Sequence, residues 1–154
     1  MNIKCILYDF DGVMTNNLVL LSEDGKESVS VNRSDGLAVS YFKKKNIKQF
    51  IISTEKNPVV TARANKLKIK VFQGISNKLK VVKEIMKNLK LQKENIAFVG
   101  NDLNDMEVID FLTYTFCPKD SHPDVLAKAN KIINCNGGDG VIMVLYNILG
   151  EQIE

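Results

Sequence analysis

Four short polar clusters in this sequence follow apolar runs and combine residue types that can do chemistry together. The first cluster is Asp9-Phe10-Asp11-Gly12, which ends the apolar run of residues 3–8. The other three follow later apolar runs and consist of Ser53-Thr54, Lys78 and the G-N-D-L-N-D stretch of residues 100–105. Two carboxylates one residue apart repel each other, and burying an unpaired charge is costly. A positive group is therefore expected beside Asp9 and Asp11.

The residue types in these clusters indicate what they could bind. Carboxylate and amide oxygens suit a hard divalent cation. Hydroxyls, backbone N–H groups and a lysine are the groups that stabilise a phosphoryl group during transfer. The clusters together predict a metal-assisted phosphoryl-transfer site, provided that the fold brings them to the same edge of a sheet.

Alternating strand and helix patterns predict a sheet with such an edge. Strands are predicted at residues 3–8, 49–52, 70–72, 96–99, 114–117 and 131–133. Helices are predicted between and after these strands. The first is capped by Ser34 or Asp35, the second begins at Asn57-Pro58 and the third is capped by Asn77. A fourth spans residues 104–111, a short fifth begins at Pro123, and the last ends at Leu149. This order favours an α/β fold with a mainly parallel sheet covered by helices on both faces. Ligands bind such sheets beyond the carboxyl ends of the strands, where the polar clusters lie.

A protruding β-hairpin interrupts this alternation. Residues 18–21 and 28–31 flank an E-D-G turn signal and predict its two strands. Roughly 37 residues separate Thr15 from Ser53, and this length holds the hairpin and one helix but no cap domain. We therefore expect one domain, residues 1–154, without a cap.

Composition limits the remaining classes of function. The chain has 154 residues, of which 45% are hydrophobic and 25% charged, and its net charge is +3, as expected of a soluble globular domain. No apolar run is long enough to span a bilayer or to act as a signal peptide, which predicts a cytoplasmic protein with no membrane partner. The densest basic run, Lys43–Lys45, complements the end of a predicted helix. No basic stripe interleaved with aromatic residues indicates nucleic-acid binding.

The four clusters, in this order, resemble the motifs of the haloacid dehalogenase superfamily of phosphatases. The resemblance implies a Rossmann-like three-layer sandwich in which Asp9 is the nucleophile and Asp11 the general acid and base. It assigns the transferring phosphoryl group to Ser53 and Lys78, with Thr54 and Gly12 also contacting the substrate. Mg²⁺ is implied as cofactor. Its expected ligands are Asp9, Asp11, Asn101 and Asp102, and Asp105 is expected to support the metal site. Asn101 stands where many relatives have Asp.

Further segments resemble a capless subgroup of this superfamily that acts on phosphorylated 2-keto-3-deoxy sugar acids. They are V-N-R-S-D-G-L-A-V, V-F-Q-G-I-S-N-K, K-D-S-H-P-D-V and N-G-G-D-G-V. Capless members commonly form homotetramers that cover the site. The S-T-E-K stretch of residues 53–56 resembles the branch with nine-carbon, sialic-acid-type 9-phosphate substrates, in which Glu55 and Lys66 are candidates for contacting the sugar acid. A second prediction is a phosphatase of 3-deoxy-octulosonate 8-phosphate, whose members typically have T-G-R at this point.

A non-catalytic function is the alternative prediction. The resemblance extends to the phosphatase-like tail domain of some acylneuraminate cytidylyltransferases, which would make this chain an oligomerisation module. Asn101 motivates this alternative, and so do Met143 and Val144, which stand where the subgroup usually has Arg and Glu. Retention of Asp9, Asp11, Ser53 and Lys78 argues against it, because a non-catalytic domain has no physical need for this charge cluster.

Overall fold

A six-stranded parallel sheet forms the centre of the molecule. The computed structural model describes residues 1–150 and 152–153. The strands of the sheet are β1 (Cys5–Tyr8), β4 (Lys48–Ile52), β5 (Lys70–Phe72), β6 (Ile96–Val99), β7 (Tyr114–Pro118) and β8 (Lys131–Ile133). Their order is β5-β4-β1-β6-β7-β8, and every neighbouring pair is parallel. β1 and β6 are buried along their whole length, as expected for strands covered on both faces.

Helices cover both faces of the sheet. They are α1 (Arg33–Lys44), α2 (Pro58–Leu67), α3 (Lys78–Leu89), α4 (Met106–Phe111), α5 (Pro123–Lys128) and α6 (Val141–Leu149). Apolar side chains of α1, α2 and α6 form the core on one face, and those of α3, α4 and α5 form it on the other. The predicted three-layer α/β architecture is confirmed. Within the described ranges, no helix is long and apolar enough to cross a membrane.

The hairpin is shorter than the sequence predicts. Its strands are β2 (Leu20–Leu21) and β3 (Glu27–Ser28), which pair antiparallel through two residues each. The prediction of strands at 18–21 and 28–31 was too long. The reason is that the ribbon pairs with no other strand of the described chain, and a two-stranded ribbon without a packed face gains little from further pairing.

Two predicted helix starts are corrected. Asn32, not Ser34 or Asp35, caps α1, because its Oδ1 accepts a hydrogen bond from the Ser34 amide at 2.9 Å. Asp35 is instead buried and accepts from the Ile142 amide of α6 at 3.0 Å, a long-range contact that local pattern cannot predict. The helix expected at 104–111 begins with a 3₁₀ turn at 103–105 and is α-helical only from residue 106. The predicted Asn57 and Asn77 caps are confirmed.

Candidate active site

The predicted polar clusters meet at the carboxyl edge of the sheet. Because β1 lies between β4 and β6, the residues that follow these three strands are neighbours in space. They line one cleft of about 390 Å³. Among its lining residues are Asp9, Asp11, Ser53, Thr54, Glu55, Asn101 and Asp102. Lys78 lies at the first residue of α3 and reaches this cluster from below the cleft surface.

Lys78 joins two buried carboxylates. Its Nζ lies 2.8 Å from Asp9 Oδ1 and 2.7 Å from Asp105 Oδ1, and only 1% of its side chain is exposed. The second oxygen of Asp105 accepts hydrogen bonds from the backbone amides of Asn101 at 2.8 Å and Asp102 at 3.3 Å. Asp105 therefore holds both the ammonium and the loop after β6. The sequence predicts a supporting role for Asp105 at the metal site, but not its contact with Lys78.

The charges in this network do not cancel. Burial raises the pKa of Asp9, the nearby charge of Asp105 raises it further, and Lys78 opposes both effects. Burial by itself would lower the pKa of Lys78, but Asp9 and Asp105 outweigh burial and raise it. One ammonium cannot neutralise two carboxylates, so the ionised cluster carries a net negative charge. An additional cation beside Asp9 would stabilise its ionised form.

A set of oxygens beside Asp9 fits such a cation. One terminal atom of the Asn101 amide lies 2.9 Å from the Asp11 carbonyl oxygen and 3.0 Å from Asp9 Oδ2. With nitrogen in this place, the amide donates to both oxygens. With oxygen there, the amide oxygen lies about 3 Å from two further oxygens. Adjacent ligands of an octahedral Mg²⁺ lie about 3 Å apart when the metal–oxygen distance is about 2.1 Å. The three residues therefore fit Mg²⁺.

Asp102 lies outside this set of oxygens. Its carboxylate accepts a hydrogen bond from the Leu103 amide at 2.7 Å and so caps the short 3₁₀ turn. The residue is exposed, although it lines the cleft. Its role as a metal ligand stays a prediction, and the contacts favour Asn101.

Gly12 and Thr15 shape the loop that carries Asp11. Gly12 has a φ of +81°, and a Cβ at this position would lie 2.0 Å from Asn101 Nδ2, so a larger residue would displace the amide from the cation site. Thr15 Oγ1 accepts from the Gly12 amide at 3.3 Å and donates to Asp11 Oδ1 at 3.5 Å. Burial raises the pKa of Asp11, and the charge of Glu55 raises it further. A raised pKa favours the protonated form that a general acid needs.

Hydroxyl groups line the other side of the cleft. Ser53 is buried, and its Oγ accepts from the Glu55 amide at 3.1 Å, which leaves its O–H able to donate to a ligand. Thr54 Oγ1 accepts from Asn104 Nδ2 at 3.3 Å and likewise keeps its proton available. With the ammonium of Lys78, these donors could hold the oxygens of a phosphoryl group.

Lys66 does not join this cleft within one chain. It lies in the last turn of α2, whereas the cleft is at the beginning of that helix. It lines a separate pocket of about 440 Å³ with Arg33, Lys43 and Arg63. The structure therefore brings together all the predicted site residues except Lys66.

Comparisons with known proteins agree on one family. A model of haloacid dehalogenase-like hydrolases matches residues 7–145. The 3-deoxy-D-manno-octulosonate 8-phosphate phosphatase of Salmonella typhi is 30% identical over 149 residues, which is 96% of this chain and 79% of the relative.

Solved structures show the same likeness. A haloacid dehalogenase family hydrolase from Streptomyces avermitilis has a TM-score of 0.93 and 37% identity, covering 99% of this chain and 88% of that one. The 3-deoxy-D-manno-octulosonate 8-phosphate phosphatase of Moraxella catarrhalis, solved with a magnesium ion, a phosphate ion and KDO, has a TM-score of 0.91 and 26% identity, with 97% of this chain and 87% of that one covered. Since the family model spans most of the sequence and the relatives match it almost end to end, the chain belongs to the haloacid dehalogenase-like hydrolase family.

Proposed function

We propose that this phosphoric monoester hydrolase removes the phosphate from a phosphorylated 2-keto-3-deoxy sugar acid through an aspartyl-phosphate intermediate. The observation that carries the proposal is the buried contact of Lys78 with Asp9 and Asp105, beside the oxygens of Asp11 and Asn101. This arrangement concentrates a nucleophile, an acid and phosphoryl-binding groups at one edge of the sheet.

Asp9 and Asp11 perform the two steps of the reaction. The carboxylate of Asp9 attacks phosphorus, a bond forms between them, and the bond to the sugar oxygen breaks while Asp11 gives that oxygen its proton. Asp11 then takes a proton from a water molecule, which attacks the aspartyl-phosphate, releases inorganic phosphate and restores Asp9. Thr15 orients Asp11 for both steps through its hydrogen bond to Oδ1.

The remaining groups stabilise charge. Ser53, Thr54 and Lys78 donate to the phosphoryl oxygens, and Lys78 also holds Asp9 in place. Asp9, the Asp11 carbonyl and Asn101 would hold Mg²⁺. When bound, the ion offsets the repulsion between the anionic nucleophile and the anionic phosphate.

Two sugar acids are candidates for the substrate. The S-T-E-K stretch favours a nine-carbon, sialic-acid-type 9-phosphate, because it supplies Glu55 at the cleft. The relatives named above support 3-deoxy-octulosonate 8-phosphate instead. Lys66 does not line the cleft, and a neighbouring copy that brought its pocket to this cleft would let Lys66 pair with the carboxylate of either acid.

A homotetramer would provide that neighbour. The hairpin run Leu18–Leu21 is apolar and exposed, with 69% of Leu18 and 72% of Leu20 accessible to solvent. A contiguous exposed apolar patch is typical of an interaction surface. No cap domain is present in the described chain to close the cleft, so the hairpin of another copy is the cover that this proposal assigns to it.

Phosphate release with Mg²⁺ tests the proposal. The panel contains octulosonate 8-phosphate, a sialic-acid-type 9-phosphate and hexose phosphates, with Asp9→Asn as the inactive control and Asp24→Asn as an exposed, matched control. We expect release from a sugar acid phosphate that falls by at least about 10³-fold in Asp9→Asn, because the nucleophile is lost, and is unchanged in Asp24→Asn.

The identity of the preferred substrate decides between the two candidates. Preference for the 9-phosphate supports the interpretation of Glu55, whereas preference for the 8-phosphate would assign this chain the substrate of its named relatives. Release no higher than that of Asp9→Asn on every compound would contradict the proposal and favour the non-catalytic module. The intact cluster of Asp9, Lys78 and Asp105 supports the enzyme over that alternative.

A further inference from the structure

The hairpin brings to the cleft one carboxylate that the mechanism above does not use. We propose that Glu27 is a specificity-determining residue that accepts hydrogen bonds from hydroxyl groups at the phosphorylated end of the substrate. This inference rests on the proposed function and names the part of the substrate that the hairpin recognises. It predicts a preference for polyol phosphates over phosphate esters without hydroxyl groups.

Glu27 is the point at which the hairpin reaches the reaction site. It lies on β3 opposite Leu21, and it lines the same cleft as Asp11 and Glu55. It is half-buried, whereas its strand partner Leu21 is exposed. Its charge is also close enough to Asp11 to contribute to the raised pKa of that residue, after burial and Glu55.

Asn57 holds one oxygen of Glu27 and leaves the other open. Its Oδ1 accepts from the Val59 amide at 3.1 Å and caps α2, while its Nδ2 donates to Glu27 Oε2 at 3.2 Å. This contact ties the hairpin to the core. In the part of the chain that the structure describes, Glu27 Oε1 has no hydrogen-bond donor. A carboxylate oxygen accepts readily, so a ligand in the cleft can supply the donor.

Glu55 is arranged in the same way. Its Oε1 accepts from the backbone amides of Lys56 at 2.8 Å and Asn57 at 2.9 Å. Two carboxylates are thus anchored on Asn57, one through its backbone and one through its side chain, and both line the cleft. A polyol carries several neighbouring hydroxyl donors, which suits two acceptors held by one residue.

Charge determines which end of a sugar acid can enter here. Carboxylates repel an anionic group, so the acid end of the substrate is disfavoured beside Glu27 and Glu55. A neutral hydroxyl donates to them without this repulsion. A phosphate ester without hydroxyl groups displaces water from Glu27 and Glu55 but donates no hydrogen bond to them. Loss of a hydrogen bond to a charged group corresponds to a discrimination of about tenfold or more.

Steady-state kinetics of Glu27→Ala with Mg²⁺ test the inference on three substrates. They are octulosonate 8-phosphate, sorbitol 6-phosphate and p-nitrophenyl phosphate, the last of which has no hydroxyl group. Glu23→Ala is the matched control, because Glu23 is an exposed acid of the same hairpin that does not line the cleft. Thermal unfolding and light scattering show whether each variant keeps its fold and assembly. If Glu27→Ala does not fold, Glu27→Met, which likewise removes both acceptor oxygens, replaces it.

We expect Glu27→Ala to lower kcat/KM about tenfold on the hydroxylated substrates, mostly through KM, and to change it less than about twofold on p-nitrophenyl phosphate. Glu23→Ala should match the wild type on all three. An equal loss on all substrates would show a merely structural role for Glu27 and overturn the inference. So would unchanged kinetics on the hydroxylated substrates.

Failure of the proposed function has a different signature. The wild type would then hydrolyse p-nitrophenyl phosphate or sorbitol 6-phosphate but no sugar acid phosphate. The role of Glu27 would still be decided by sorbitol 6-phosphate against p-nitrophenyl phosphate: a wild-type preference that Glu27→Ala abolishes supports it. The absence of any preference for sorbitol 6-phosphate contradicts it.

Discussion

At the residue scale, the chemistry of the cleft depends on a charge imbalance. Lys78 contacts Asp9 and Asp105 within 2.8 Å, and both acids are buried. Since a buried ammonium without partners would lose its proton, the two acids keep Lys78 charged. The remaining negative charge favours a divalent cation, for which the Asp11 carbonyl and Asn101 supply neighbouring oxygens. Asp105 thus acts through Lys78 and the loop after β6.

Replacing Asp105 should therefore impair catalysis without removing any group that contacts the substrate. In Asp105→Asn we expect kcat to fall about 100-fold, because Lys78 loses its second anion and the single remaining acceptor oxygen cannot serve both Lys78 and the amides of residues 101 and 102. Steady-state kinetics with Mg²⁺ measure the effect. Asp110→Asn is the control, since Asp110 is exposed and pairs with Lys128 at 3.0 Å. Equal activity of the two variants would contradict the role of Asp105.

At the element scale, α1 and α6 support the loop that carries Asp9 and Asp11. Asp35 of α1 accepts from the Ile142 amide at 3.0 Å and the Met143 amide at 3.4 Å, and so caps α6, whose own N-cap is Gly140. The segment before α6 packs on the loop that carries Asp9 and Asp11: a Cβ at Gly137 would lie 2.1 Å from the Gly12 carbonyl oxygen. This contact explains why glycine is needed there.

The cap also makes stability depend on pH. Burial raises the pKa of Asp35 from 3.8 to about 6, although the hydrogen bonds from the two amides and the charge of Arg63 oppose this rise. Tyr8 and Cys135 are the other titratable groups close enough to interact with the charge of Asp35. The folded protein therefore binds a proton that the unfolded chain has already lost. The free energy of unfolding should fall as pH rises from about 4 to about 6, by about 2–3 kcal/mol from this residue.

Asp35→Asn tests this dependence, because it removes the titration and keeps an oxygen that can accept from the amides. Urea unfolding at pH 4.5 and pH 7.5 should show a smaller loss of stability in the variant than in the wild type. Asp24→Asn, an exposed hairpin variant, should follow the wild type. Parallel pH dependences of Asp35→Asn and the wild type would show that Asp35 does not titrate in this range.

At the scale of the whole molecule, the open question is what covers the cleft. Leu18, Val19, Leu20 and Leu21 form an exposed apolar run beside it. Lys66, Arg33 and Arg63 line a separate basic pocket and not the cleft of their own chain. Self-association through the hairpin would bury the apolar run and could bring the basic pocket to a neighbour's cleft.

Leu20→Lys should weaken this assembly. We expect a tetrameric mass for the wild type by light scattering at micromolar concentration and a smaller mass for the variant, because a charge replaces a buried apolar contact. Activity on a sugar acid phosphate should decline with the mass. Ile132→Lys, which alters an exposed apolar residue far along the chain in β8, serves as control. A monomeric wild type would refute the proposed tetramer.

The architecture and most of the cleft follow from the amino-acid sequence alone. Apolar runs of strand length alternate with helical patterns, and parallel strands present their carboxyl ends at one edge, so the residues after β1, β4 and β6 had to meet. The hydrogen-bond and ion-pair partners of those residues become known only from the folded chain. The contacts of Asp105 with Lys78, of Asp35 with Ile142 and of Glu27 with Asn57 join residues 27, 107 and 30 positions apart. Such contacts arise from the packing of separate elements, which local spacing does not encode.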